Sequence, residues 1–251
     1  MKNEDVFAKG MVESGEEHYD LTPELDHSQY QMIRPYLGRE VLEVGAGAGR
    51  ISKFLLEDKT LAANFMISEP SDHFYKLLVK RFKNYTKVNL SQSETSKLSK
   101  EFLAHFDTIF SVDVMEHIED DLQFLKECSS MIKPTGRIVI LVPALQFLYS
   151  DLDRNIGHYR RYNKAMIKAL ANKLDLEIES IYYSNFLGIF ASFFFIKLRK
   201  LDYQKNESNK NRFIYLQKIY SKYFIPLMNF IERIVPAPLG LNLTCVLKKP
   251  N

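Results

Sequence analysis

An α/β fold built on a doubly wound parallel sheet is the class this sequence predicts, from three observations. First, short apolar runs at 40–44, 64–68, 86–90, 106–111 and 136–142 alternate with stretches at helical spacing at 49–57, 71–82, 94–103 and 119–132. That order covers both faces of a parallel sheet with helices. Second, the first run ends in Glu43-Val44-Gly45-Ala46-Gly47-Ala48-Gly49-Arg50 and passes directly into a helical pattern. Glycines at alternate positions remove the side chains that would hold a ligand off the backbone, and a helix N-terminus presents unpaired N–H groups. Third, Glu69 closes the second run 20 positions after Gly49, about where an acidic side chain receives a ribose diol.

Taken in order, residues 1–28 are polar and acidic and read as a loose arm with short helical pieces. Gln29 to Tyr36 reads as a helix beside the first strand. The alternating core follows. Asn163 then caps a helix running to Lys173, with Met166, Ala169, Leu170 and Leu174 on one side. Leu176–Tyr183 and Leu241–Lys248 read as two late strands separated by about 57 residues. A hairpin needs only a few, so the intervening chain is an insert, and a connection of that length is usually functional. The organisation expected is an arm at 1–28, a nucleotide-binding domain at 29–184 and 241–251, and a helical insert at 185–240.

The turn itself narrows the ligand. A dinucleotide fingerprint reads G-x-G-x-x-G, whereas this one reads G-x-G-x-G. Glu43 sits two residues before the first glycine, where it would repel a pyrophosphate and suit an ammonium or sulfonium group. These residues, with Glu69 downstream, resemble the first two motifs of class I S-adenosylmethionine-dependent methyltransferases. Phe106–Asp121, which contains Ser111-Val112-Asp113-Val114-Met115-Glu116-His117, resembles that family's fourth-strand motif. Leu141-Val142-Pro143, after Lys133-Pro134-Thr135-Gly136-Arg137, resembles its fifth strand and the turn before it. The likeness runs in order through about residues 30 to 185.

The resemblance implies a Rossmann-like sheet of seven strands with an antiparallel last strand. It also implies S-adenosylmethionine as cofactor, with S-adenosylhomocysteine as product. Glu43 would face the cationic methionine end; Gly45, Ala46, Gly47 and Gly49 would let the ligand approach the backbone; Glu69 and Pro70 would border the ribose. Asp113, Val114 and Met115 would line the cofactor from the fourth strand. The adenine contact usually follows the third strand; here Asn89-Leu90-Ser91-Gln92-Ser93-Glu94 lacks the family's Gly-Asp pair, and Ser93 or Glu94 stand in its place.

Methyl transfer needs alignment and exclusion of water, and a hydroxyl acceptor gains from a base. Two histidines are candidates. His117 starts the helix after the fourth strand, where Glu116 and Glu119 would also suit a helix N-terminus. A Glu116–His117 pair could hold a metal, but no third ligand is evident, so none is expected. His158 lies in Tyr149–Tyr162, which packs one histidine, three arginines, two aspartates and three tyrosines into 14 residues. Its Gly157-His158-Tyr159-Arg160-Arg161-Tyr162 core resembles a motif in a bacterial branch of these methyltransferases, several of which sit among glycan- or lipid-modifying enzymes. Tyr159, Arg160 and Arg161 are the expected substrate contacts, arginine forks suiting carboxylate or phosphate. Alternatively, Asp151 and Asp153 pair with Arg160 and Arg161 and simply order the loop.

Composition excludes more than it assigns. A formal charge of +3 on 251 residues does not point to nucleic acid. Cys128 and Cys245 lie far apart in apolar patterns and read as buried free thiols. Met1–Asp5 is charged and leads into no apolar signal core, so a cytoplasmic location is expected. The run Asn185–Ile196 is nearly all apolar and is followed by Lys197, Arg199 and Lys200. At about 12 residues it is too short to span a bilayer. It roofs the substrate site, lies in a membrane surface, or forms a homodimer contact.

The reading that results is a methyltransferase acting on an oxygen or nitrogen of a small or lipid-linked acceptor, glycans included. The alternatives are a dinucleotide-dependent oxidoreductase and a non-catalytic protein on the same fold.

Overall fold

The computed structural model describes residues 22–61, 63–199 and 215–250. Seven strands form one sheet: β1 (Glu40–Val44), β2 (Asn64–Ser68), β3 (Val88–Ser91), β4 (Phe106–Val112), β5 (Ile132–Pro143), β6 (Glu177–Ser184) and β7 (Asn242–Lys248). Their spatial order is β3-β2-β1-β4-β5-β7-β6. β1 to β5 pair in parallel, and β7 runs antiparallel between β5 and β6. The expected seven-stranded Rossmann-like sheet with an antiparallel last strand is therefore present.

The helices in chain order are α1 (Pro23–Ile33), α2 (Arg50–Glu57), α3 (Asp72–Phe82), α4 (Thr95–Glu101), α5 (Asp121–Met131), α6 (Asp151–Asn155), α7 (Lys164–Lys173), α8 (Phe186–Arg199) and α9 (Ile225–Ile234). The helix start expected at Asn163 is real: its side chain accepts from the Met166 N–H at 2.9 Å. The two faces of the sheet carry separate apolar clusters. Leu42, Ile109, Ile138, Ile140 and Leu243 pack toward α5 and α7, whereas Val41, Phe110, Val139, Leu141 and Val246 pack toward α1 and α2. Both cysteines are buried and free; burial pushes the Cys245 thiol up to about 12.

One boundary needs correction. The segment expected to be a loose arm through residue 28 is helical from Pro23. Its inner face is polar at the start: Asp26, Ser28 and Gln29 are buried because they bond to other elements, Asp26 to Arg50, Ser28 to Asn229 and Gln29 to Asp113. An apolar period therefore begins only at Tyr30 and Ile33. The rest of the expected arm lies outside the described residues.

Between β6 and β7 the described chain is helical, as α8, a π-turn at Tyr220–Phe224, and α9. These helices do not stand alone. Glu232 accepts from the backbone N–H groups of Asn185 and Phe186 at 3.1 and 2.8 Å, closing the start of α8. Ser221 donates to Glu24, and Ser28 to Asn229, fastening α9 and its lead-in to α1. Lys200 and the polar stretch 202–212 lie outside the described residues.

Candidate active site

Strand order reverses between β1 and β4, so the crevice at their carboxyl ends is where a ligand of an open α/β sheet is expected. The three glycines of the β1–α2 turn all have positive φ, but they do different work. A side chain at Gly45 would strike Val114 at 2.6 Å, and one at Gly49 would strike Phe82 at 2.4 Å. Gly47 has nothing within 4 Å of its missing side chain. Gly45 and Gly49 let Val114 and helix α3 close in, whereas Gly47 opens onto space. Ala46 is buried against Ile67, Leu78 and Phe82, so it offers a ligand only its backbone.

Glu69 is buried and bonded on both oxygens. Oε2 accepts from the Gly47 N–H at 2.7 Å and Oε1 from the Ser71 N–H at 2.9 Å. Half-buried Pro70 lies between them. Burial raises the Glu69 carboxyl above its usual range, against the pull of those two amides. Glu43 is also buried and accepts from Ser52 Oγ at 2.6 Å. Burial pushes it to about 7; the Ser52 bond and Arg50 oppose the shift and Glu69 adds to it. Ser93 sits half-buried two residues past β3, in the loop before α4.

Beyond β4, Asp113 has φ +55, a conformation that costs energy for any residue but glycine and clusters at functional sites. Its Oδ2 accepts from Arg50 Nη2 and Gln29 Nε2, both at 3.4 Å. Val114 packs on Gly45. Met115 is a correction: its side chain is wholly buried in the core, leaving nothing for a cofactor to touch.

The loop after β5 folds back over this turn. The Tyr159 N–H donates to the Glu116 carbonyl at 2.8 Å, and fully buried Tyr162 donates its hydroxyl to the Met115 carbonyl at 3.2 Å. Arg160 is spent on the same clamp, bonding the Ile118 and Glu119 carbonyls and Asp121. Arg161 donates Nε to Asp153 at 2.8 Å. The expected arginine forks toward substrate are thus corrected: both hold the loop, with Arg160 paired to Asp121 rather than to an aspartate of its own segment. Asp151 pairs with Arg154 instead. Tyr159 remains exposed beside them.

What the clamp presents is His158. Its Nδ1 lies 3.0 Å from Asp153 Oδ1. Burial pushes Asp153 up, but the His158 and Arg161 bonds outweigh it and bring the carboxyl to about 2. An ionised carboxylate only accepts, so Nδ1 carries a proton toward Asp153 and Nε2 is turned away from it. Nε2 is 3.8 Å from Glu116 Oε1, and the ring meets His117 edge-on at 4.5 Å between centroids. Burial, and then His158, lower His117 to about 3. Sequence reasoning missed Asp153 as the partner of His158, Ser52 as the partner of Glu43, and Gln29 and Asp26 on α1. Only Asp153, five residues from His158, carried a local signal.

Residues 42–138 match the family model described as "Methyltransferase domain". A ubiquinone biosynthesis O-methyltransferase of Nitrosospira multiformis is 25% identical over 122 residues, 49% of this chain and 46% of that protein. The chain thus spans about half the length of the curated relatives it matches. A SAM-dependent methyltransferase from Archaeoglobus fulgidus superposes with a TM-score of 0.56 at 19% identity, covering 90% of this chain and 94% of the other. Haemonchus contortus phosphoethanolamine N-methyltransferase 2, in complex with S-adenosyl-L-methionine, gives 0.59 at 17% identity, covering 89% and 53%. The expected methyltransferase domain and fold are what these comparisons find; neither alternative reading is favoured.

The raised Glu43 carboxyl makes a stability prediction. A folded-state value of about 7 against an ordinary 4.5 means the native state holds this proton more tightly than the unfolded chain. The contribution is complete below pH 4.5 and is lost as pH climbs through about 7. Glu43→Gln keeps an acceptor for Ser52 without the charge. Its stability relative to the parent, from urea unfolding, should rise by on the order of 3 kcal/mol between pH 4.5 and 8; an offset independent of pH would contradict the assignment.

Proposed function

We propose that this chain is an S-adenosylmethionine-dependent methyltransferase acting on a hydroxyl oxygen of a small or lipid-linked acceptor. The observation that carries the cofactor assignment is the open face of Gly47 directly over the Glu69 carboxylate, at the point where strand order reverses. The residues fit the group: a backbone without a side chain, a buried acid for a diol and a half-exposed aspartate beyond β4. When bound, the cofactor supplies a methyl group already activated on a positively charged sulfur. Gly47 admits it to the backbone. Glu69, with one lone pair free on each oxygen, accepts from the ribose hydroxyls. Asp113 and Val114 border it from β4, Ser93 borders the adenine side, and the Glu43 carboxyl, in its ionised form, favours a cation.

The acceptor's hydroxyl proton goes to His158 Nε2. Asp153 holds the required tautomer and stabilises the imidazolium that results, the logic of an oriented histidine base. Arg161 and Ser150 position Asp153, and exposed Tyr159 meets the acceptor. The name of the curated relatives, O-methyltransferases, agrees with an oxygen nucleophile. An apolar acceptor suits the insert, where Phe190, Phe193, Leu227, Phe230 and Ile234 are each more than half exposed. Among the described residues no helix is long and apolar enough to cross a membrane, so contact would be peripheral.

Calorimetry with S-adenosylhomocysteine should show saturable binding that Gly47→Asp weakens more than about tenfold, or 1.4 kcal/mol. His158→Ala should leave that binding near normal while slowing methyl transfer by about 10²–10⁴-fold. Normal affinity in the first variant removes the pocket, and a normal rate in the second removes the base. For the insert, flotation with anionic vesicles should recover the protein, and Phe230→Ser with Ile234→Ser should lose it. A protein that stays with the soluble fraction but sediments as a dimer would give this face to a second copy instead.

A further inference from the structure

The fold brings together three side chains that the sequence keeps apart. Glu116 and His117 follow β4 in a 3-10 turn, and His158 arrives from the loop after β5. One donor atom from each lies within 4.8 Å of the others. Gly157, at φ +85, makes this possible: the chain reverses beside His117 where an added side chain would lie 3.6 Å from Nδ1.

Glu116 is the odd member. It is fully buried, yet neither carboxylate oxygen accepts a hydrogen bond among the described residues. Buried polar groups are nearly always bonded, and an isolated buried carboxylate is costly. His158 Nε2 lies 3.8 Å from Glu116 Oε1. Among the described residues, no hydrogen-bond donor reaches either oxygen of the Glu116 carboxyl.

We propose that Glu116, His117 and His158 bind a divalent transition-metal ion of the zinc class. Two imidazoles and one carboxylate are a donor set for Zn²⁺ and its neighbours, and a poor one for Mg²⁺ or Ca²⁺, which take oxygen ligands. Tetrahedral coordination at about 2.0–2.1 Å places donors roughly 3.4 Å apart, so the trio closes by about an ångström on loading. The outer shell is already built, with Asp153 accepting from the far nitrogen of His158 as outer-shell carboxylates do for metal-bound histidines. Both imidazoles are partly exposed, which gives the ion a way in and leaves a position open.

The ion's chemical use rests on the proposed methyl transfer; its binding does not. In that reading the open position would take the acceptor hydroxyl and lower its pKa, so that its proton leaves to water as the oxygen takes the methyl group from the sulfonium. His158 Nε2 then serves as ligand in the loaded protein and as base in the unloaded one.

The full chain, stripped with chelator, is titrated with Co²⁺ and followed by its visible absorption, and with Zn²⁺ by calorimetry. One equivalent should bind. Glu116→Gln and His117→Asn should each weaken binding by more than about 100-fold, the upper range for losing even an outer-shell partner. His105→Gln, outside the site, should not change it. S-adenosylhomocysteine binding in the same samples reports on folding and on the cofactor pocket separately. No saturable binding to the parent protein overturns the proposal, as does unchanged affinity in both ligand variants. Metal binding without cofactor binding would keep this site and sink the methyltransferase reading. Full turnover in chelator, with no metal bound, would keep the methyltransferase reading and overturn the ion's part in the chemistry.

Discussion

The turn after β1 and the turn after β4 approach so closely that Val114 occupies the space a side chain at Gly45 would fill. Most of what lies above the sheet follows from that contact. It brings the carboxyl ends of the two central strands to one crevice and puts Asp113 in a left-handed conformation beside Arg50. On the other side Gly49 lets Phe82 in, and the bend between is left with a single bare face at Gly47. The same closeness gives the two outer glycines a packing role that the repeat G-x-G-x-G does not show.

Around this crevice the protein buries three carboxylates that begin close to one another in function but differ in partners. Glu43 is tied to a serine, Glu69 to two backbone amides, and Glu116 to no hydrogen-bond donor among the described residues. Burial raises all three above the ordinary carboxylate range. Asp153 shows the opposite balance. It too is buried, yet four donors reach it, from Ser150, His158 and Arg161, and it stays ionised. Low dielectric strengthens a satisfied bond and penalises an unsatisfied group, so Asp153 keeps its charge where the other three resist theirs.

Much of the sheet was legible because strands buried on both faces read as continuous apolar runs; β1 and β2 fall on the expected residues, and β3 and β4 within two. The last two strands and the helices between them were also visible, from spacing alone. What was not legible depended on distant partners. Helix α1 begins early because its buried face is polar, and those polar groups bond to Arg50, Asp113 and Asn229, far along the chain. Arg160 and Arg161 looked like anion forks because the sequence could not show the carbonyls of Ile118 and Glu119 waiting for one of them. The Glu116–His117 pair lacked a third ligand in sequence because His158 is supplied by a different strand's loop.

A crystal structure of the full chain with S-adenosylhomocysteine tests the central claim most directly. The account predicts the ligand's backbone-facing edge over Gly47, its ribose hydroxyls on the Glu69 carboxylate, and its sulfur on the side of the crevice that opens toward His158. A ligand bound elsewhere, or one that reaches the crevice without touching Glu69, would contradict it.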